Sequence, residues 1–180
     1  MIVVEPYNVV WPQWFGVLQA RLAPFLEGID HQIEHVGSTS VPGLAAKPII
    51  DMDIIVAAGG LERAIAAVVS AGYTHRGELG IVGRHAFGNP DGEPLPAHHL
   101  YVCVEGADSL RNHLVLRDHL RANPDAVRRY GALKMRLARV HVDDIDAYVE
   151  GKTDFILGVL QGAGMSLGSL DDIRQANKAP

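Results

Sequence analysis

EHVGSTSVPGLAAKPIIDMDIIV, residues 34–56, sets a Gly-Ser turn shortly ahead of an apolar run that two aspartates interrupt. The reading of the whole chain follows from that juxtaposition. Successive side chains of a strand point to opposite faces, so Asp51 and Asp53 share one face while Ile50, Met52, Ile54 and Val56 share the other. The apolar face is expected in the core and the carboxylates on the open face. Two like charges side by side repel unless a cation or a proton stands between them. Mg²⁺ suits such a pair, because it takes oxygen ligands, often one or two carboxylates completed by substrate phosphates. A bare D-x-D also fits two aspartates that solvate an exposed strand or pair with arginines of a neighbouring layer.

The turn ahead of the strand narrows the choice. Gly37 can take a backbone conformation closed to other residues, and Ser38, Thr39 and Ser40 offer hydroxyls beside amides that a short helical turn leaves unpaired. That combination suits an anion, although a plain helix cap has the same composition. Pro42 and Gly43 stop the turn, and the chain returns through Lys47 and Pro48 to the aspartates, which would put phosphate and metal sites side by side. The P-loop pattern G-x-x-x-x-G-K-[ST] is absent.

The rest of the chain supplies one domain around this segment. At 180 residues, with 48% hydrophobic and 21% charged residues, it is long enough for a core without disulfides. The lone Cys103 fits a reducing compartment, and the start MIVVEPYNVVW has neither the basic region nor the cleavage site of a secretory signal, so a cytoplasmic protein without membrane insertion is expected. A net charge of −5 argues against a general nucleic-acid surface while leaving room for a local pocket that takes one nucleotide or other phosphorylated small molecule. Helical spacing of Trp14, Leu18, Leu22 and Phe25 predicts an opening helix. HQIEHV and IIDMDIIV read as strands, LERAIAAVVSAGY as a helix closing at Gly72, and residues 73–106 as further strands, antiparallel where they adjoin. DSLRNHLVLRDHLRA, PDAVRRYGALKMRLARV and DDIDAYVEGKTDFILGVLQGA form a helical C-terminal half. The expectation is an α+β domain over 1–164, with a short, loosely held tail over 165–180.

VGSTSVPGLAAKPIIDMDIIV resembles the signature of the GrpB family, a branch of the polymerase-beta-like nucleotidyltransferase superfamily, and PYNVVWPQWF, GIVGRHAF, HHLYV, LVLRDHLRANPDAVRRYGALK and YVEGKTDFI resemble further GrpB segments in the same order. The resemblance implies a nucleotidyltransferase-like mixed β-sheet with helices packed against it. It also implies that Gly37 and Ser38, with Thr39, hold nucleotide phosphates while Asp51 and Asp53 act as catalytic metal ligands for Mg²⁺. Family members commonly carry no assigned reaction, and some are fused to dephospho-CoA kinase, so a non-catalytic nucleotide-binding or accessory protein is the alternative reading.

Further candidates follow from the same template. Complete transferase sites add a third carboxylate on a later strand; Glu78 in RGELG is the nearest acid that could supply it from a loop. In HHLYVCV, His99, Tyr101 and Cys103 share a face; His99 matches a family H-L-H-V pattern, while Tyr101 replaces its second histidine. Arg84 could grip a phosphate or make a surface ion pair, and Arg117, in register with Arg121, could reach a phosphate or pair with Asp118 or Asp125. Lys47, Lys134 and Lys152 could line the same cleft or be solvated, and His35 is expected to brace the turn. The nine histidines show no zinc-site spacing.

Overall fold

The computed structural model describes residues 1–176. It contains α1 (Trp11–Leu22), β1 (Gln32–Val36), β2 (Ile50–Val56), α2 (Leu61–Ser70), β3 (Thr74–His75), β4 (Arg84–Gly88), β5 (His98–Val104), α3 (Asp108–Ala122), α4 (Pro124–Val140), α5 (Ile145–Gly162) and α6 (Leu167–Ala176). The five strands form one mixed sheet in the order β1-β2-β5-β4-β3. Only the β2–β5 pairing is parallel, with Asp51 beside His99 and Asp53 beside Tyr101; β1 runs antiparallel to β2, placing Glu34 opposite Asp53.

One face of this sheet carries the core. Ile50, Met52, Ile54, Leu100 and Val102 are buried against Leu18 and Leu22 of α1 and Ala64, Ile65 and Val68 of α2, as the alternation along β2 dictates. Tyr73 and His98 close that layer, the tyrosine hydroxyl 2.9 Å from Nε2 of the histidine. Pro12 and Pro124 stand at the first turns of α1 and α4, where a missing N–H breaks no helical bond.

The other face carries Glu34, Asp51, Asp53, His99, Tyr101 and Arg84, and the C-terminal helices lie over it. Val41 and Leu44, in the return after the Gly37 turn, are buried among Leu120, Ala126, Val127 and Tyr130, so α3 and α4 hold that return in place. Residues expected to be a loosely held tail instead contain α6, with Met165 and Leu170 buried beside Leu157 and Leu160 of α5; residues 177–180 lie outside the described part. No helix among the described residues is long and apolar enough to cross a membrane.

Candidate functional site

Asp51 and Asp53 project from the same face of β2 into different surroundings. The Asp51 side chain is 30% exposed, whereas Asp53 is sealed at 0%. The open face expected from the alternation is therefore half covered, and the cover is α3. Nδ1 of His113, on that helix, lies 2.8 Å from Oδ2 of Asp53, and Oδ1 of Asp53 is buried without a partner among the described residues. Nδ1 of His99 lies 2.8 Å from Oδ1 of Asp51. Burial opposes charge on His113, but the adjoining Asp53 carboxylate outweighs it and raises the imidazole above its ordinary range.

The Gly37 turn is built against Asp51. Gly37 has φ 68°, and a Cβ placed on it would overlap the Asp51 carboxylate, 2.8 Å from Cγ. The three hydroxyls that follow have different fates. Thr39 is buried and donates to the Ile49 carbonyl at 3.2 Å while lying 3.0 Å from Nε2 of His35; because the hydroxyl proton is committed, the His35 N–H donates to Thr39. Ser40 donates to the Gly37 carbonyl at 2.6 Å. Thr39 therefore braces the turn and is not free for a phosphate. Ser38, with no side-chain bond among the described residues, keeps its hydroxyl free. His35 has the bracing role expected of it, its ring stacked on Phe15 at 4.8 Å.

Two further expectations are corrected. Arg117 is buried and occupied by Glu34 at 2.5 Å, Asp118 at 2.8 Å and the His35 carbonyl at 3.2 Å, so it neutralises an acid of the face rather than reaching an anion. Arg121 likewise donates to the Ser40 carbonyl, at 2.9 and 3.1 Å. Glu78 accepts the Gly83 N–H at 2.7 Å and lies 3.7 Å from His85, which pairs with Val102 on the opposite face of the sheet; it does not join Asp51 and Asp53. The additional acid on the carboxylate face is Glu34, from the preceding strand.

The other candidates do converge. The Arg84 guanidinium lies 4.5 Å from the centroid of Tyr101, and its Nε is buried without a partner. Burial and the Asp51 charge push the Tyr101 hydroxyl above its usual range, so it stays protonated. Lys47 and Lys152 approach the Tyr148 ring at 5.8 and 4.5 Å, and Lys134, 2% exposed with its amine unpartnered, lies 4.7 Å from the Tyr130 ring. Desolvation, reinforced by Lys152, holds Lys134 well below the ordinary lysine range; desolvation and Lys47 bring Lys152 down to about 8, while the Asp51 charge favours both cations. These are all the lysines of the described residues, and none has a carboxylate within ion-pair distance there. His113, Glu34 and Tyr148 were missed in the sequence. His113, Arg117 and Arg121 recur four residues apart, one stripe of a helix, which is the signal that could have found the first.

The donor chemistry fits a magnesium ion: two carboxylates of one strand, one with a partnerless buried oxygen, beside a free hydroxyl at Ser38. No group of three or more His, Cys, Asp or Glu is placed to hold a metal by protein ligands alone among the described residues. Substrate oxygens and water would have to complete the shell.

The family model described as GrpB protein matches residues 1–162. UPF0157 protein YqkA of Bacillus subtilis is 39% identical over 157 residues, covering 83% of this chain and 43% of that protein. UPF0157 protein SCO7215 of Streptomyces coelicolor is 35% identical over 163 residues, 89% of this chain and 83% of that protein. This chain thus spans less than half of the first relative and most of the second. Conserved protein GrpB from Enterococcus faecalis superposes with a TM-score of 0.76 at 31% identity, over 97% of this chain and 99% of that one. A Cid1 poly(U) polymerase with MgGTP bound superposes with a TM-score of 0.53 at 11% identity, over 76% of this chain and 44% of that one, a likeness of fold alone.

Proposed function

The chain belongs to the GrpB family, which has a nucleotidyltransferase-like fold, and from that premise we propose that it is a Mg²⁺-dependent nucleotidyltransferase acting on a small-molecule or other acceptor. The observation that carries the reading is Asp51 and Asp53 on one strand, with Lys134 and Lys152, which have no ion-pair partner among the described residues, near enough to feel the Asp51 charge. A nucleoside triphosphate has the matching pattern, a metal-bound phosphate group continuing into a highly charged polyphosphate. Asp51 and Asp53 would hold Mg²⁺, which when bound offsets phosphate charge and polarises the phosphorus to be attacked. Ser38 and the Gly37 backbone border that phosphate, Lys47, Lys134 and Lys152 take the two phosphates that leave, and Arg84 and Tyr101 flank the acceptor side. In the transfer the acceptor oxygen bonds to the α-phosphorus, the bond to pyrophosphate breaks, and the acceptor proton passes to solvent.

A second reading, binding without transfer, is favoured by one observation: Tyr101 stands beside Asp53 where a third carboxylate would complete a two-metal site, and Glu34 on the other side is occupied by Arg117. Calorimetry against ATP, GTP, CTP and UTP, with and without Mg²⁺, tests both. Transfer predicts binding that needs Mg²⁺ and is lost in Asp51→Asn and Asp53→Asn. Binding that is independent of Mg²⁺ and tighter in Asp51→Asn favours the second reading, because removing the negative charge then helps the anion. Absence of binding by any of the four overturns the nucleotide assignment.

A further inference from the structure

At the edge of the sheet remote from β1, β3 and β4 form a short antiparallel pair with His75 opposite Phe87. His85 lies two residues before Phe87, so His75 and His85 are diagonal neighbours on the same face, the one opposite the carboxylates. Nε2 of His75 and Nδ1 of His85 are 3.1 Å apart, and the ring centroids 5.2 Å apart, so the rings meet nitrogen to nitrogen rather than face to face. Both rings are held. His75 packs on Phe87 at 5.2 Å. The far nitrogen of His85, Nε2, lies 3.7 Å from Oε1 of Glu78, which the Gly83 N–H fixes at 2.7 Å.

This arrangement has the parts of a metal site. A carboxylate beside Nε2 of His85 favours the tautomer with its proton there, leaving the lone pair on Nδ1 to face His75; carboxylates behind metal-ligating histidines act in the same way. Imidazole nitrogens bound at about 2.0–2.1 Å to a tetrahedral metal stand roughly 3.3 Å from each other, close to the observed separation. The site is also reachable, with His75 exposed and the His85 side chain 15% exposed.

We propose that His75 and His85 together bind a divalent transition-metal ion of the zinc class, through Nε2 and Nδ1 respectively, with Glu78 positioning His85 from behind. Imidazole suits zinc, nickel and copper, whereas magnesium prefers oxygen, so this site is chemically separate from Asp51 and Asp53 and does not depend on the function proposed for them. With two protein ligands, water fills the remaining positions and the ion exchanges readily. Its structural effect is local. It joins β3 to β4 at the base of the connecting segment, where Leu79 and Val82 stand exposed at 64% and 82%.

The test is titration of zinc chloride, and separately magnesium chloride, into the nucleotide-free protein, read by calorimetry and by NMR of the histidine ring nitrogens. The expected result is a zinc site of micromolar affinity that shifts the His75 and His85 resonances, with no shift from magnesium. His75→Ala and His85→Ala should each weaken it more than about tenfold, and Glu78→Gln by less, since Glu78 only orients. No movement of either histidine up to about 100 µM zinc overturns the proposal. So does zinc binding that persists in His75→Ala and His85→Ala but disappears in His99→Ala. The ring-nitrogen spectra of the unmodified protein discriminate these outcomes even where a variant folds poorly.

Discussion

Asp53 and His113, sixty positions apart in sequence, are joined at 2.8 Å between Oδ2 and Nδ1, the carboxylate sealed and the imidazole partly exposed, with the second carboxylate oxygen left unpartnered. Removing the imidazole strands a carboxylate in a sealed environment. His113→Ala is therefore expected to destabilise the fold by about 3 kcal/mol, the usual cost of breaking a buried pair from one side. Urea unfolding measures it; a loss under roughly 0.5 kcal/mol, typical of surface positions, would contradict the pairing.

Gly37 should tolerate no side chain. Its positive φ and its approach to Asp51 act together, so Gly37→Ala is expected to cost about 2 kcal/mol or more and to displace the carboxylate. Thermal melting reads the first effect and Mg²⁺-nucleotide calorimetry the second. Gly16, which has open space around it, is the control, and Gly16→Ala in α1 should be neutral or stabilising.

Lys134 is expected to oppose stability and support binding. A buried amine without a partner is costly, so Lys134→Met should raise the unfolding free energy measured in urea by on the order of 1 kcal/mol, while weakening triphosphate binding. The same cluster sets a pH limit. Lys152, brought down to about 8, loses its charge as pH rises through that value, so affinity for a triphosphate should fall above pH 8 in the wild type and less steeply in Lys152→Met. Unchanged affinity in both variants would remove the lysines from the polyphosphate site.

His35 gives the fold an acid limit of its own. Burial lowers its pKa from 6.5 to about 4. Above pH 6.5 the ring is neutral in folded and unfolded chains alike and the full stability is present. As pH falls from 6.5 towards 4 the unfolded chain takes up a proton that the folded chain refuses, and stability is lost, on the order of 2 kcal/mol for a ring partly open to solvent. Denaturation across that range should show the loss, and His35→Gln should flatten this part of the profile.

Local patterns were legible in the sequence and remote partners were not. The alternation in IIDMDIIV identified β2 and the shared face of Asp51 and Asp53, and the Gly37 turn was readable because glycine followed by hydroxyls and a proline stop is a short-range signal. What covers that face comes from α3, so the burial of Asp53, the pairing of Arg117 with Glu34 and the role of His113 required the tertiary arrangement. Glu78 was the natural acid to suspect by proximity along the chain, but β4 directs its neighbourhood to the opposite face. Thr39 and Ser40 look like Ser38 and differ from it because their hydroxyls are bonded, Thr39 to His35 and the Ile49 carbonyl on either side of the turn and Ser40 to the Gly37 carbonyl.

His113 and Arg117 stand one helical turn apart on α3 and grip adjacent strands, one at Asp53 and the other at Glu34. A helix anchored twice by charge cannot lift from the sheet without baring a carboxylate at each anchor. Opening of the carboxylate face is therefore expected on the side of α4 and α5, which carry Lys134 and Lys152, rather than at α3. In amide exchange the strands β1 and β2 and the middle of α3 should open as one cooperative unit, slower than the end of α5 and α6.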